Sequence, residues 1–310
     1  MAEIAEFGTA QDGSLVHAIT LKNGALEATV LTHGARLHSL RHAGSPNLTQ
    51  GAETLAAYEG TALYSNAVVA PVVNRIAGAE VPLGRELLQL EANEGPNCLH
   101  SGLSGTQALT WQVEKATNGL AKLTIALPDG HGGFPGARTI RAIFALDTAH
   151  SLRITLEAES DARTLFNPAF HGGWNLDGSG VLDGHRLTVM ADQYLPVTSD
   201  TLPTGEIADV EGTPFDYRRP RAPDPRLDHN FCLARSPRSL APVARLTGAS
   251  GRELTVQTTA PGLQVYCGSG AGVALEPQIW PDAPHHKGFP SIIAQAGDVF
   301  RQESLYTFGP

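Results

Sequence analysis

The chain has 310 residues, 42% hydrophobic and 17% charged, a globular composition long enough to bury a sizeable core. Its net charge of −9, with no basic stripe or Lys/Arg cluster, argues against a nucleic-acid or anionic-membrane partner. The 33 glycines and 21 prolines are spread over the whole length, which fits many turns between short strands better than a few long helices.

From the start, His17–Leu21 and Leu26–Val30 alternate apolar and polar residues around Asn23-Gly24, the dipeptide that favours a tight hairpin. Gly34 precedes a third short strand, Arg36–Leu40, and Glu53–Tyr58 has short helical spacing. Ala67–Val73 is apolar with a proline inside it, and Asn93–Gly102 reads as a loop centred on Gly95-Pro96-Asn97. The clearest sheet lies in the middle, where Leu123–Leu127, Thr139–Leu146 and Ser151–Glu159 follow closely. In the last of these Leu152, Ile154, Leu156 and Ala158 point one way and Arg153, Thr155 and Glu157 the other. Further strands are expected at Arg186–Ala191, Glu253–Thr258, Leu263–Cys267, Gly272–Glu276 and Val299–Phe308, with a long surface loop over the Pro-rich Thr213–Pro225. Many closely spaced strands with almost no helix predict an all-β fold, a large antiparallel β-sandwich in one domain over 1–310.

Cys98, Cys232 and Cys267 are odd in number, far apart and without a C-x-x-C, so a cytoplasmic protein with reduced thiols is expected, with neither disulfides nor a zinc site. Met1–Gly13 lacks the apolar centre of a secretory leader, and no run approaches membrane-spanning length.

Gly272–Gln278 draws attention first as a site. The run Val273–Leu275 delivers one carboxylate, Glu276, and Pro277 follows, where a strand is expected to end or bulge because proline cannot donate to a ladder. Leu275 and Glu276 alternate, so a core-facing Leu275 turns Glu276 to the other face. A carboxylate among apolar neighbours is a candidate general base. Of the twelve histidines, His150, His229, His285 and His286 read as solvated or turn residues, and the His285-His286 pair lacks metal-ligand spacing. His100 and His171 differ, because each stands where an apolar stretch meets glycine: Asn97-Cys98-Leu99-His100-Ser101-Gly102 and Phe166-Asn167-Pro168-Ala169-Phe170-His171-Gly172-Gly173.

These blocks, with Asn74-Arg75-Ile76-Ala77-Gly78, resemble the aldose 1-epimerases, the galactose mutarotase family. The resemblance continues in family order through Trp174-Asn175-Leu176, Ala191–Val197, Pro203–Ile207, Leu227-Asp228-His229-Asn230-Phe231, Pro261–Tyr266, Leu275-Glu276-Pro277-Gln278 and Pro281-Asp282-Ala283-Pro284. It implies a galactose mutarotase-type sandwich and an enzyme that interconverts the α and β anomers of a free monosaccharide. By match of motif, Glu276 is expected to be the general base and His171 the general acid. Arg75, His100, Asp228 and Gln264 would hold the sugar, with Asn74 beside Arg75. No metal or other cofactor is implied, and a monomer or homodimer is expected. The chain departs from the family in two places. Ala70-Pro71 lies where a Gly-Arg pair is usual, and Phe170 and Gly173 replace the usual Asn before the histidine and Tyr two places after it. A wider, less polar pocket beside His171 is therefore expected, unless Trp174 or Trp280 fills it. Two alternatives keep the fold: a hexose-phosphate mutarotase, for which Arg218, Arg219 and Arg221 are the only basic cluster on offer, and a non-catalytic carbohydrate-binding protein.

Overall fold

The computed structural model describes residues 2–309. Its largest element is an antiparallel sheet of eight strands, in spatial order Gln112–Thr117, Leu120–Leu127, Arg138–Thr148, Ser151–Ser160, Val299–Gly309, Glu253–Thr258, Ala241–Thr247 and Arg186–Val189. Period-2 alternation gives this sheet one apolar face. Ile140 stands opposite Ala158, Ala142 opposite Leu156, Phe144 opposite Ile154 and Leu146 opposite Leu152, all buried. Val299–Gly309 pairs with Ser151–Ser160 on one edge and with Glu253–Thr258 on the other, so the last strand joins the middle of the chain to its C-terminal part.

A second sheet of six strands runs Gly173–Trp174, Val273–Gln278, Gly262–Tyr266, Asp228–Cys232, Gln193–Tyr194 and Ala208–Asp209. Its inner residues, among them Phe231, Leu263, Val265, Val273 and Leu275, enter the same apolar cluster as Phe144, Ile154 and Leu156 of the large sheet. Phe170 and Trp174 stitch the two layers by edge-on and tilted contacts with Phe144 and Tyr306, ring centroids 5.1 to 6.2 Å apart. Each such side chain, fully buried, contributes about 1.5–3 kcal/mol. Four N-terminal strands, Glu3–Thr9, Leu15–Asn23, Leu26–Leu31 and Arg36–His42, form a separate meander whose Ile19, Leu21, Val30 and Leu37 extend that core.

The predicted all-β sandwich is what the chain forms, with α-helix among the described residues confined to the single turn Leu55–Tyr58. Three expectations need correction. The hairpin turn is shifted by one residue: Asn23 pairs with Leu26, so Gly24 and Ala25 are the loop residues, and Gly24 takes the left-handed φ of 58°. Strands at Glu3–Thr9, Gln112–Thr117, Asp228–Cys232 and Ala241–Thr247 went unpredicted, because their charged, short or proline-containing stretches lack clean alternation. The strand carrying Glu276 also neither ends nor bulges at Pro277. It continues to Gln278 with Pro277 opposite Leu263, while Gly173–Trp174 pairs only with Val273 and Ala274 on the other edge. Pro277 therefore sits where the strand has lost that second neighbour, the kind of edge position that tolerates proline.

Candidate active site

The outer face of the six-stranded sheet is the floor of a cavity of about 360 Å³. Register explains how residues distant in sequence come together there. Glu276 lies directly opposite Gln264, and Ala274 opposite Tyr266, which in turn faces Asp228 on the next strand. Residues directly opposite, and those two apart, share a face, so Glu276, Gln264, Tyr266 and Asp228 all project into the cavity. The next residue on the strand, Leu275, is wholly buried on the core side, as the alternation predicted.

His171 occupies a two-residue break between Ala169–Phe170, which pairs with Val68–Val69, and Gly173–Trp174, which pairs with the Glu276 strand. Its N–H donates to the Ala67 carbonyl at 2.9 Å and its own carbonyl accepts from the Asn66 N–H at 2.9 Å. On the other side the Leu275 N–H donates to the Gly172 carbonyl at 3.0 Å. The histidine backbone is thus tied to both walls. Gly172 is needed for packing: a Cβ there would come within 2.3 Å of the Phe170 ring. That ring is in the core, not the cleft.

The third wall comes from Asn74, Arg75 and His100, where Arg75–Ile76 pairs with Cys98–Leu99. Asn74 and His100 hold left-handed backbone, φ 63° and 52°, a conformation costly for non-glycine residues that the surroundings must over-determine. They do so reciprocally. The His100 N–H donates to the Asn74 carbonyl at 2.9 Å, and the Asn74 N–H donates to His100 Nδ1 at 3.1 Å. An Nδ1 that accepts a backbone hydrogen bond leaves the proton of the neutral ring on Nε2, as a donor. Asn74 Oδ1 accepts from the Arg75 N–H at 2.8 Å. The Arg75 guanidinium donates two parallel bonds to Glu94, at 2.6 and 2.8 Å, and lies 3.8 Å from Asp228. Tyr64 closes the wall, its ring centroid 4.5 Å from that of His100 and 6.3 Å from that of His171.

At the centre, His171 Nε2 and Glu276 Oε1 are 3.4 Å apart, with the Glu276 side chain only 2% exposed. Burial disfavours the charged form of both. It pushes Glu276 well above the usual carboxylate range, with Asp228 adding to the effect and Arg75 opposing it, and it brings His171 down to about 4. His100 is also held well below its ordinary value, by burial first and then by His171 and Arg75. Gln264 Nε2 donates to Asp228 at 2.7 Å, while Gln264 Oε1 and Glu276 Oε2 are buried without a hydrogen-bond partner among the described residues. Buried acceptors without a partner are costly, and here two of them line the same cavity.

All seven residues picked out in the sequence, Asn74, Arg75, His100, His171, Asp228, Gln264 and Glu276, line this one cavity. Sequence reasoning missed Glu94, Tyr64 and Gln50. Glu94 lies inside the Asn93–Gly102 stretch read as a loop, but only the fold shows that it grips Arg75. The wider, less polar pocket expected at Gly173 is not what the structure has. Phe170, Trp174 and Trp280 are all buried in the core, and the Gln50 carboxamide stands beside Gly173 instead. Arg218, Arg219 and Arg221 line a different surface depression, with Arg218 engaged by Asp216 and Asp192. His229 is not solvated but buried, against Phe215 at 4.0 Å between ring centroids and Tyr194 at 5.7 Å. His285 and His286 both lean on Asp282, at 2.6 and 3.4 Å.

A sequence profile of aldose 1-epimerase matches residues 17–307. The chain is 32% identical to galactose mutarotase of Mus musculus over 96% of its length and 95% of the relative's, and 29% identical to aldose 1-epimerase of Escherichia coli K12 over 96% and 97%. Its fold superposes on galactose 1-epimerase of Lactobacillus acidophilus with a TM-score of 0.88 at 27% identity, covering 100% of this chain and 98% of the other. An aldose epimerase homologue from C. elegans gives 0.87 at 25% identity, covering 100% and 99%. By sequence over nearly its whole length, and by fold, the chain belongs to the aldose 1-epimerase family.

Proposed function

We propose that the cavity interconverts the α and β anomers of a free monosaccharide, with Glu276 taking the proton of the C1 hydroxyl and His171 giving one to the ring oxygen. The observation that carries this reading is the Glu276–His171 pair, 3.4 Å apart and buried, with unpartnered acceptors beside it. Anomer exchange needs two proton transfers in concert. As the ring opens to the aldehyde, the C1–C2 bond turns, and closure on the other face reverses both transfers. Because the two groups share one proton, a carboxylate with an imidazolium becomes a carboxylic acid with an imidazole, and the site keeps its charge throughout. Burial favours the second, neutral form in the empty pocket. A sugar that donates its C1 hydroxyl to Glu276 and accepts at its ring oxygen from His171 hydrogen-bonds the charged forms, and so draws the pair into the reactive state.

The other residues follow from their hydrogen bonds. His100 presents Nε2–H, and Arg75 a guanidinium held by Glu94, both suited to negative charge building on the ring oxygen. Asp228 and Gln264, already joined to each other, fix hydroxyls of the sugar. A hexose-phosphate substrate is disfavoured, because among the described residues Arg75 is the only lysine or arginine lining the cavity and Glu94 already grips it. The acidic composition supports a partner that is a small sugar and not a nucleic acid, and the free cysteines support a cytoplasmic location.

The test is Glu276→Gln, which keeps shape and removes the base. Polarimetry on freshly dissolved α-anomers should show kcat reduced about 10²–10⁴-fold, the contribution typical of one positioned proton-transfer group. A variant with near wild-type kcat would remove Glu276 from the reaction.

A further inference from the structure

Two glycines, Gly173 on the short strand Gly173–Trp174 and Gly272 just before the neighbouring strand Val273–Gln278, leave a slot at one edge of the cavity. A Cβ on Gly173 would lie 2.8 Å from Gln50 Oε1, and one on Gly272 would lie 2.4 Å from Gln50 Cδ and 2.6 Å from Oε1. Such distances are closer than real contacts allow, so the Gln50 side chain fills the volume that those two side chains would have taken. The segment carrying it is tied down as an added edge: Thr49 bridges to Trp174, and the Gln50 N–H donates to the Gly173 carbonyl at 3.0 Å. The carboxamide itself makes no hydrogen bond to the described residues, although it lines the cavity with Thr61 and Ser269.

Sheet order fixes where this amide lies relative to the other sugar-facing groups. Gly173–Trp174 is the edge strand, next comes the strand of Glu276, then that of Gln264, then that of Asp228. At ~4.8 Å per strand, the Gly173 edge and the Asp228 strand are about 14 Å apart, with Glu276 between them. The Asp228 end carries charge. The Gln50 end carries only neutral donors and acceptors.

Building on the mutarotase reading above, we propose that Gln50 is a specificity-determining residue: it hydrogen-bonds a hydroxyl on the edge of the sugar remote from Asp228 and Gln264. It takes the place of the side chain that Gly173 lacks, and it selects neutral, unphosphorylated aldoses that carry a hydroxyl there. A site built to bond a hydroxyl penalises the analogue lacking it, since its buried polar group is then left unpaired.

The experiment is kcat/KM by polarimetry or NMR anomer exchange for D-galactose, D-glucose, D-xylose, L-arabinose and the 2-, 4- and 6-deoxy hexoses, in wild type, Gln50→Ala and Gly272→Ala. One deoxy or pentose analogue should be a poorer substrate than its parent for wild type. Gln50→Ala should lower kcat/KM for the parent about 3- to 10-fold, mainly through KM, and leave that analogue unchanged, so that the discrimination collapses. Gly272→Ala keeps Gln50 but pushes its amide aside, and should reproduce the collapse. Gly173→Tyr, which also displaces the amide, should reorder the sugars. A uniform fall across all sugars, or an unchanged ranking in both Gln50→Ala and Gly272→Ala, would overturn the proposal while leaving the mutarotase reading intact. Absence of anomer exchange by wild type on every sugar would sink that reading instead.

Discussion

Glu276 and His171 are displaced in opposite directions for one reason, which is that the cavity floor is too dry to favour either charge. The pair therefore holds a single proton over a broad pH range, and its two titration steps belong to both groups together. Below the lower step, near the His171 value of about 4, a second proton enters and no base is left. Above the upper step, set by the raised Glu276, the shared proton is lost and no acid is left. The kcat/KM profile should accordingly be a bell with a wide plateau, its acid limb near pH 4 and its alkaline limb well above the ordinary carboxylate range. His171→Asn should lower kcat more than KM, because donation to the ring oxygen matters chiefly in the transition state. An acid limb near pH 6.5, where an ordinary histidine titrates, in place of one near pH 4 would show that burial does not set these groups as described.

Two walls present their site residues through departures from regularity, the break in strand pairing at His171 and the left-handed Asn74 and His100, whereas Glu276, Gln264 and Asp228 come from regular strand register. Gly172 is the hinge of the first. Gly172→Ala would drive a methyl into the Phe170 ring, which is itself wedged among Phe144, Trp174 and Tyr306. Overpacking of this kind costs about 1–3 kcal/mol, so the urea midpoint should drop and kcat with it, since His171 is the adjacent residue. An unchanged midpoint would mean that the ring moves freely and does not anchor the break. The same elements show what the sequence made legible. Strict alternation in Ser151–Ser160 gave that strand nearly residue for residue, and the Leu275/Glu276 alternation placed one in the core and the other in the cleft. Asp228 could be named by motif, yet its strand went unread because Asp-His-Asn shows no apolar period. Gln50 left no local signal at all. Its role arises from two missing Cβ atoms on residues 123 and 222 positions further along the chain, which only the folded register brings beside it.

Across the whole molecule, packing two sheets and a meander around one apolar centre has buried several histidines in neutral form. His100 lies well below its ordinary value and His171 and His229 lie at about 4, with burial the leading cause in each. As pH falls from about 6.5 toward 4, the unfolded chain takes up a proton at each of these three positions and the folded chain does not. The stability they permit is therefore fully present above pH 6.5 and is lost on acidification, by up to about 1.4 kcal/mol per pH unit for each histidine. Glu276 acts with the opposite sign. Its folded value is raised, so the folded chain keeps a proton that the unfolded chain releases above the ordinary carboxylate value, and its contribution is greatest in acid. Asp228, raised by burial, and His285, raised by its bond to Asp282, act in the same sense as Glu276, but burial also lowers His33, His38 and His42, so six histidines against these three groups leave a net loss. The urea midpoint should fall between pH 7 and pH 5, while the protein is still far above the range in which ordinary carboxylates protonate. His229 isolates the cause, because it lies outside the cavity lining and packs by its ring against Phe215 and Tyr194. His229→Phe keeps that ring packing and removes the proton site. It also removes the acceptor for the Asp228 N–H, which shifts stability equally at every pH. The pH slope, not the absolute midpoint, is therefore the measured quantity, and it should be shallower in His229→Phe than in wild type. Parallel slopes would show that His229 takes up its proton in the folded state as readily as in the unfolded one.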